Sequence, residues 1–128
     1  MGNSAKILII DDEDDFRENL KYILEKNGYQ VQMASSGIRG LKELETYVPD
    51  LILMDVMMPG LDGMETAVKI KEQASLKDVA IIFLTGVTAS DDVITSINGQ
   101  YFSMISKMTD YKLLLERIRK HLEDGMPT

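Results

Sequence analysis

Leu51-Ile52-Leu53-Met54 is an unbroken apolar run that ends on a carboxylate, Asp55, and the chain then breaks at Pro59-Gly60. Four apolar residues without polar alternation suit a strand covered on both faces, as in a parallel sheet wrapped by helices. A carboxylate is costly to bury inside such a strand, so Asp55 belongs at its carboxyl end, on the rim of the sheet. A second run repeats the pattern, with Lys6-Ile7-Leu8-Ile9-Ile10 leading into Asp11-Asp12. Ligands bind open parallel sheets outside the carboxyl ends of the strands. Both runs therefore deliver their acids to the working side.

The remainder alternates between strand-like and helix-like patterns. Strands are expected at 6–10, 30–34, 51–54, 80–84 and 102–105. Between them, Phe16, Leu20, Ile23 and Leu24 share one helical face, Ile38, Leu41, Leu44 and Val48 a second, and Met64, Ala67, Ile70 and Ala74 a third. The fourth segment, about 90–98, carries only Val93, Ile94 and Ile97, and the fifth has Leu114, Leu115, Ile118 and Leu122. Asn27-Gly28 and Asn98-Gly99 read as helix stops, and Gly125 and Pro127 close the last helix. This (βα)5 alternation predicts an α/β fold with a doubly wound, five-stranded parallel sheet. Right-handed crossovers leave few strand orders. In the flavodoxin-like order 2-1-3-4-5 the switch point lies between strands one and three, where Asp11, Asp12 and Asp55 converge.

At 128 residues the chain reads as one domain, 1–128 with a core of about 5–124. A net charge of −7 and a pI near 4.6 argue against direct contact with nucleic acid or an anionic membrane, which need clustered Lys and Arg. No cysteine is present, so disulfides and thiolate metal sites are excluded. No apolar stretch approaches the ~18 residues of a membrane span. The N-terminus lacks a signal-peptide core, and Lys6 stands where a myristoylation motif wants Ser or Thr. A cytoplasmic location is expected.

Asp11-Asp12-Glu13-Asp14-Asp15 is an acidic run at the first strand end. Acids in the first turn of a helix gain ~0.3–1 kcal/mol each from its dipole, which suffices for Glu13, Asp14 and Asp15. Asp11 and Asp12 sit on the strand end instead. Two carboxylates 4 Å apart repel by about 4 kcal/mol at an effective dielectric of 20, and Asp55 adds a third charge. A divalent cation relieves this repulsion. Hard carboxylate oxygens without His or Cys favour Mg2+, which also takes phosphate oxygens as ligands. Thr85-Gly86 ends the fourth strand with a hydroxyl beside a small residue, and Lys107 follows the fifth with an ammonium. Taken singly, each is equally at home as an ordinary strand threonine or surface lysine.

The motifs Ile7-Leu8-Ile9-Ile10-Asp11-Asp12-Glu13, Pro49-Asp50-Leu51-Ile52-Leu53-Met54-Asp55, Met58-Pro59-Gly60-Leu61-Asp62-Gly63, Leu84-Thr85-Gly86 and Lys107 occur in order along the chain. Together they resemble the receiver domain of two-component response regulators, of the chemotaxis-regulator kind, over essentially all 128 residues. The resemblance implies that Asp55 accepts a phosphoryl group from a histidine kinase or phosphotransfer protein. It implies Mg2+ on Asp12, Asp55 and the backbone carbonyl of Met57, with Asp11 acting through water. Thr85, beside Gly86, and Lys107 would hold the phosphoryl group, and the fourth helix and fifth strand would rearrange in response. An output domain or partner protein and a phosphorylation-dependent homodimer follow from the same resemblance. So does chemistry confined to self-phosphorylation and self-dephosphorylation, without enzymatic turnover. Two positions depart from the family: Met108 replaces the proline after the lysine, so a trans bond is expected there, and Met104 stands where an aromatic switch residue is usual.

Three other readings compete. A Mg2+-dependent phosphatase with an aspartate nucleophile wants a second acid two residues on, where Met57 stands. A flavin module of this fold needs a neutral phosphate loop after the first strand, which Asp11 to Asp15 would repel. A degenerate receiver would keep the fold as a protein-interaction scaffold alone.

Overall fold

The computed structural model describes residues 5–86, 93–97 and 100–124. Along the chain come β1 (Lys6–Ile10), α1 (Asp14–Lys26), β2 (Gln30–Ala34), α2 (Gly37–Glu43), β3 (Leu51–Asp55), α3 (Gly63–Lys71), a 3-10 turn (Ala74–Leu76), β4 (Ala80–Thr85), β5 (Val93–Ile97), β6 (Gln100–Ser106) and α4 (Tyr111–Asp124). The sheet order is β2-β1-β3-β4-β6-β5. Its first five members are parallel, so the expected order 2-1-3-4-5 holds with β6 as the fifth parallel strand.

Strand alternation sends side chains to opposite faces. Leu8, Ile10, Ile52, Met54, Ile81, Phe83 and Phe102 join Ala67 and Ile70 of α3 in one core. Ile7, Ile9, Leu51, Leu53, Ile82, Leu84 and Ile105 pack with Leu20 and Leu24 of α1 and Leu114 and Ile118 of α4 in the other. β3 and β4 are buried at every residue, as their unalternating sequences required. An edge-to-face contact between Phe83 and Phe102, centroids 5.5 Å apart, ties β4 to β6.

The expected fourth helix is not formed. Residues 93–97 are a strand, antiparallel to β6, with Ile97 paired to Gln100. Four of the five residues, Val93, Ile94, Thr95 and Ile97, are β-branched, which favours the pleated state. Only Asn98 and Gly99 separate the two strands. Asn-Gly between two such runs is also the strongest short-range hairpin signal; the helix stop expected at Asn98-Gly99 lies outside the described residues. The outer residues of the expected segment, and Gly125 and Pro127, lie outside the described residues.

The second helix is also shorter than the pattern suggested. α2 ends at Glu43, and Ile38 and Val48 are exposed. Its buried residues are Gly37 and Gly40. A Cβ on Gly40 would lie 2.5 Å from Ile10 Cδ1, and one on Gly37 would strike Thr66 Oγ1. Close backbone approach, invisible to a count of apolar residues, sets this face. α3 begins with a capping box in which Asp62 and Glu65 satisfy each other's backbone N–H groups. It ends at Lys71, leaving Ala74 in the 3-10 turn.

Candidate functional site

The registers Ile10↔Met54, Asp55↔Leu84 and Thr85↔Ser106 bring the carboxyl ends of β1, β3, β4 and β6 to one rim. There Asp11, Asp12 and Asp55 converge, each offering a carboxylate oxygen within 4.8 Å of the others. Asp11 is fully buried, Asp55 is 4% exposed, and Asp12 is exposed. The Asp11 carboxylate accepts from the Glu13 N–H at 2.8 Å, and Asp55 Oδ1 accepts from the Met57 N–H at 3.2 Å. Each acid is thus oriented by the backbone that follows it.

The loop after Asp55 folds back tightly. Gly63 N–H donates to the Val56 carbonyl at 3.0 Å, and a Cβ on Gly63 would collide with the Asp55 carbonyl. Gly60 takes a positive φ of 76° at the turn. Met57, between them, is 74% exposed, so its side chain does not cover Asp55.

Lys107 enters from the end of β6. Its ammonium lies 2.8 Å from Asp11 Oδ2, 2.5 Å from Glu13 Oε1 and 3.2 Å from Asp55 Oδ2. It also stands 4.6 Å from the centre of the Phe16 ring, a cation–π contact. Its backbone N–H donates to the Thr85 carbonyl at 2.8 Å, which locks the two strand ends together. Thr85 is buried, and at Gly86 beside it no described residue comes within 4 Å of an added Cβ. Met104 is half-buried below the rim, packed on the core under α3, and no peptide bond among the described residues is cis.

Burial, and then the nearby charge of Asp11, push the Asp55 carboxyl up to about 6, with Lys107 pulling the other way. Burial also raises Asp11, against the hydrogen bond from Lys107. Burial pulls the Lys107 ammonium down, but its bonds to Asp11 and Glu13 outweigh that and hold it above the ordinary lysine value. Lys107 pairs with three acids, Asp11, Glu13 and Asp55, and Asp12 adds a further carboxylate beside Asp11 and Asp55. Three hard carboxylates under-neutralised in this way fit a small divalent cation such as Mg2+.

Two residues at the site escaped the sequence reading. Glu13 was assigned to the helix dipole, yet it shares Lys107 with Asp11. Phe16 was assigned to a helix face, yet its ring carries the lysine head. Neither pairing has a local signal, because 94 positions separate Glu13 from Lys107. His121, near the end of α4, is buried and shares a hydrogen bond with Ser103.

Residues 7–119 match the response regulator receiver domain. The chain is 31% identical over 119 residues to the transcriptional regulatory protein CseB of Streptomyces coelicolor, covering 93% of this chain and 50% of that protein. It is 39% identical over 96 residues to the alkaline phosphatase synthesis transcriptional regulatory protein PhoP of Bacillus subtilis, covering 75% and 38%. Among solved structures, the signal receiver domain of a signal transduction histidine kinase from Syntrophus aciditrophicus superposes with a TM-score of 0.82 at 31% identity, over 97% of this chain and 94% of that one. The response regulator TrrA of Thermotoga maritima, solved in complex with Mg2+-BeF, gives a TM-score of 0.74 at 29% identity, over 91% and 97%. The chain belongs to the response regulator receiver domain family. It spans about half the length of the curated relatives it matches. No helix among the described residues is long and apolar enough to cross a membrane.

Proposed function

We propose that Asp55 is the phosphoacceptor of a two-component relay, taking its phosphoryl group from the phosphohistidine of a histidine kinase or phosphotransfer protein. The observation that carries this is the placement of Asp55: a nearly buried carboxylate at the end of β3, with Asp11, Asp12 and Lys107 gathered around it. Near neutral pH a carboxyl titrating about 6 is largely ionised, so Asp55 can attack phosphorus. A new bond forms from Asp55 oxygen to phosphorus, the phosphorus–nitrogen bond breaks, and the imidazole leaves.

Transfer of this kind needs positioning and charge neutralisation more than covalent help. Asp12, Asp55 and the Met57 carbonyl would hold Mg2+, with Asp11 acting through water. When bound, the ion neutralises charge on the phosphoryl oxygens. Lys107 contributes a fixed positive charge, Thr85 a hydroxyl donor, and Gly86 the clearance for both. Once Asp55 carries the phosphoryl group as an acyl phosphate, Lys107 loses a carboxylate partner and gains phosphoryl oxygens. Its backbone bond to Thr85 passes that change to β4 and β6.

The chain acts on itself and does not turn over a free substrate. The reading carries with it a cytoplasmic location and coupling to an output domain or partner protein. Incubation with acetyl phosphate and Mg2+ should add one alkali-labile phosphoryl group, absent from Asp55→Asn. Label that persists in that variant, or none in wild type with either acetyl phosphate or a phosphorylated kinase, overturns the reading.

A further inference from the structure

β5 ends the sheet, and among the described residues no strand pairs with its outer edge. Such an edge is a row of backbone donors and acceptors open to another strand, which proteins usually blunt with charges, prolines or bulges. Val93-Ile94-Thr95-Ser96-Ile97 contains neither charge nor proline, and its register with β6 runs without a bulge from Val93↔Met104 to Ile97↔Gln100. The uncharged stretch extends on to Ser106, in a chain whose residues are 27% charged. The opposite edge is different: beside β2, α2 places Arg39, Lys42 and Glu43 around one concavity with Met33 and Ala34.

We propose that β5 pairs antiparallel with β5 of a second copy, joining two sheets into one. The occupant follows from the sequence. An antiparallel strand paired with itself obeys a two-fold axis, so both copies use one surface and the contact closes. Centred on Thr95, the pairing sets Val93 against Ile97, Ile94 against Ser96 and Thr95 against itself, and every residue of the strand is used. Thr–Thr pairs are favourable across strands, and β-branched residues suit the pleated surface. Charge selects the direction. In the sequence Asp91 and Asp92 precede the strand and no charged residue follows until Lys107, so an in-register parallel pair would align like charges where an antiparallel pair would not. With −7 on each copy, moderate salt should strengthen the contact.

The test is sedimentation of the full chain from low micromolar to near-millimolar concentration. Wild type and Asp55→Asn should both show a monomer–dimer equilibrium without phosphorylation. Thr95→Lys and Thr95→Glu place like charges across the axis, and each should raise the dimer Kd at least roughly fivefold. Mixing the two variants should restore dimerisation through the opposed charges. Unchanged acceptance of phosphate from acetyl phosphate reports that each variant is folded. Wild type that stays monomeric overturns the proposal, leaving an extended segment of another protein as the edge's occupant. A dimer untouched by Thr95→Lys, or a mixture no better than either variant, overturns it too. A dimer that forms only after phosphorylation would sink self-pairing while the phosphoacceptor reading stood.

Discussion

The centre of the sheet and its outer end are built on different terms. β3 and β4 are buried residue by residue, and β1 departs only at Lys6. Burial on both faces fixes register, because a one-residue slip would exchange every side chain between cores. Acids at the ends of such strands are therefore held where they repel one another and await neutralisation. At the outer end β6 leaves Met104 half covered, and β5, last in the sheet, pairs with β6 alone among the described strands. The enclosed region carries the acid cluster, and the less enclosed one is the natural place for the fold to give way.

The largest effect that could break this comparison is at Asp55. Asp55→Asn should abolish phosphorylation yet stabilise the Mg2+-free chain by roughly 1–2 kcal/mol at neutral pH, since it removes a buried charge that burial and Asp11 disfavour. Urea denaturation beside a phosphorylation assay checks both. A loss of stability would mean that the Lys107 ion pair outweighs the cost of burial.

Core truncation tests the same contrast by packing alone. Leu53→Ala, fully buried at the centre, should cost about 2–5 kcal/mol. Met104→Ala should cost less than about 2 kcal/mol, because its site is already partly open. Equal costs would show that the outer end is as tightly packed as the centre.

Acidity sharpens the comparison further. Asp55 titrates near 6 in the folded chain, and an unfolded aspartate titrates near about 3.9. Between those values the folded state holds a proton that the unfolded state has released. The Asp55 contribution is thus full below about pH 4 and is lost as pH rises through about 6, a fall of about 3 kcal/mol. Asp11, also raised, acts with the same sign. The difference in melting free energy between wild type and Asp55→Asn across that range isolates the effect, and saturating Mg2+ should flatten it. A difference that grows in wild type's favour as pH rises would contradict the burial argument.

The same division explains what the sequence disclosed. Asp11, Asp12 and Asp55 were legible because apolar runs fix where strands end. Order followed, since handedness leaves few ways to join five parallel strands. The outer end was not legible, because the single dipeptide Asn98-Gly99 serves equally as a helix stop and as a hairpin turn. Only the neighbouring β-branched residues break that tie. Glu13 and Phe16 were hidden for another reason: their partner Lys107 arrives through tertiary structure, which periodicity does not encode.

The smallest effect concerns the polar contact that pins β6 to α4. His121 Nδ1 lies 3.0 Å from the Arg117 carbonyl, which can only accept, so Nδ1 carries the hydrogen. Nε2 and the Ser103 hydroxyl share a second hydrogen bond, at 2.9 Å. Both side chains are buried, so Ser103→Ala leaves a ring nitrogen without its partner and should cost about 1–2 kcal/mol. Removing both polar partners, as in Ser103→Ala with His121→Phe, should recover most of that loss, because two apolar groups in contact strand nothing. A double-mutant cycle in urea measures the coupling. If the double variant is simply the sum of the two single losses, this contact does not hold the outer end, and α4 is kept on the sheet by its apolar face, with Leu114 and Ile118 at its centre.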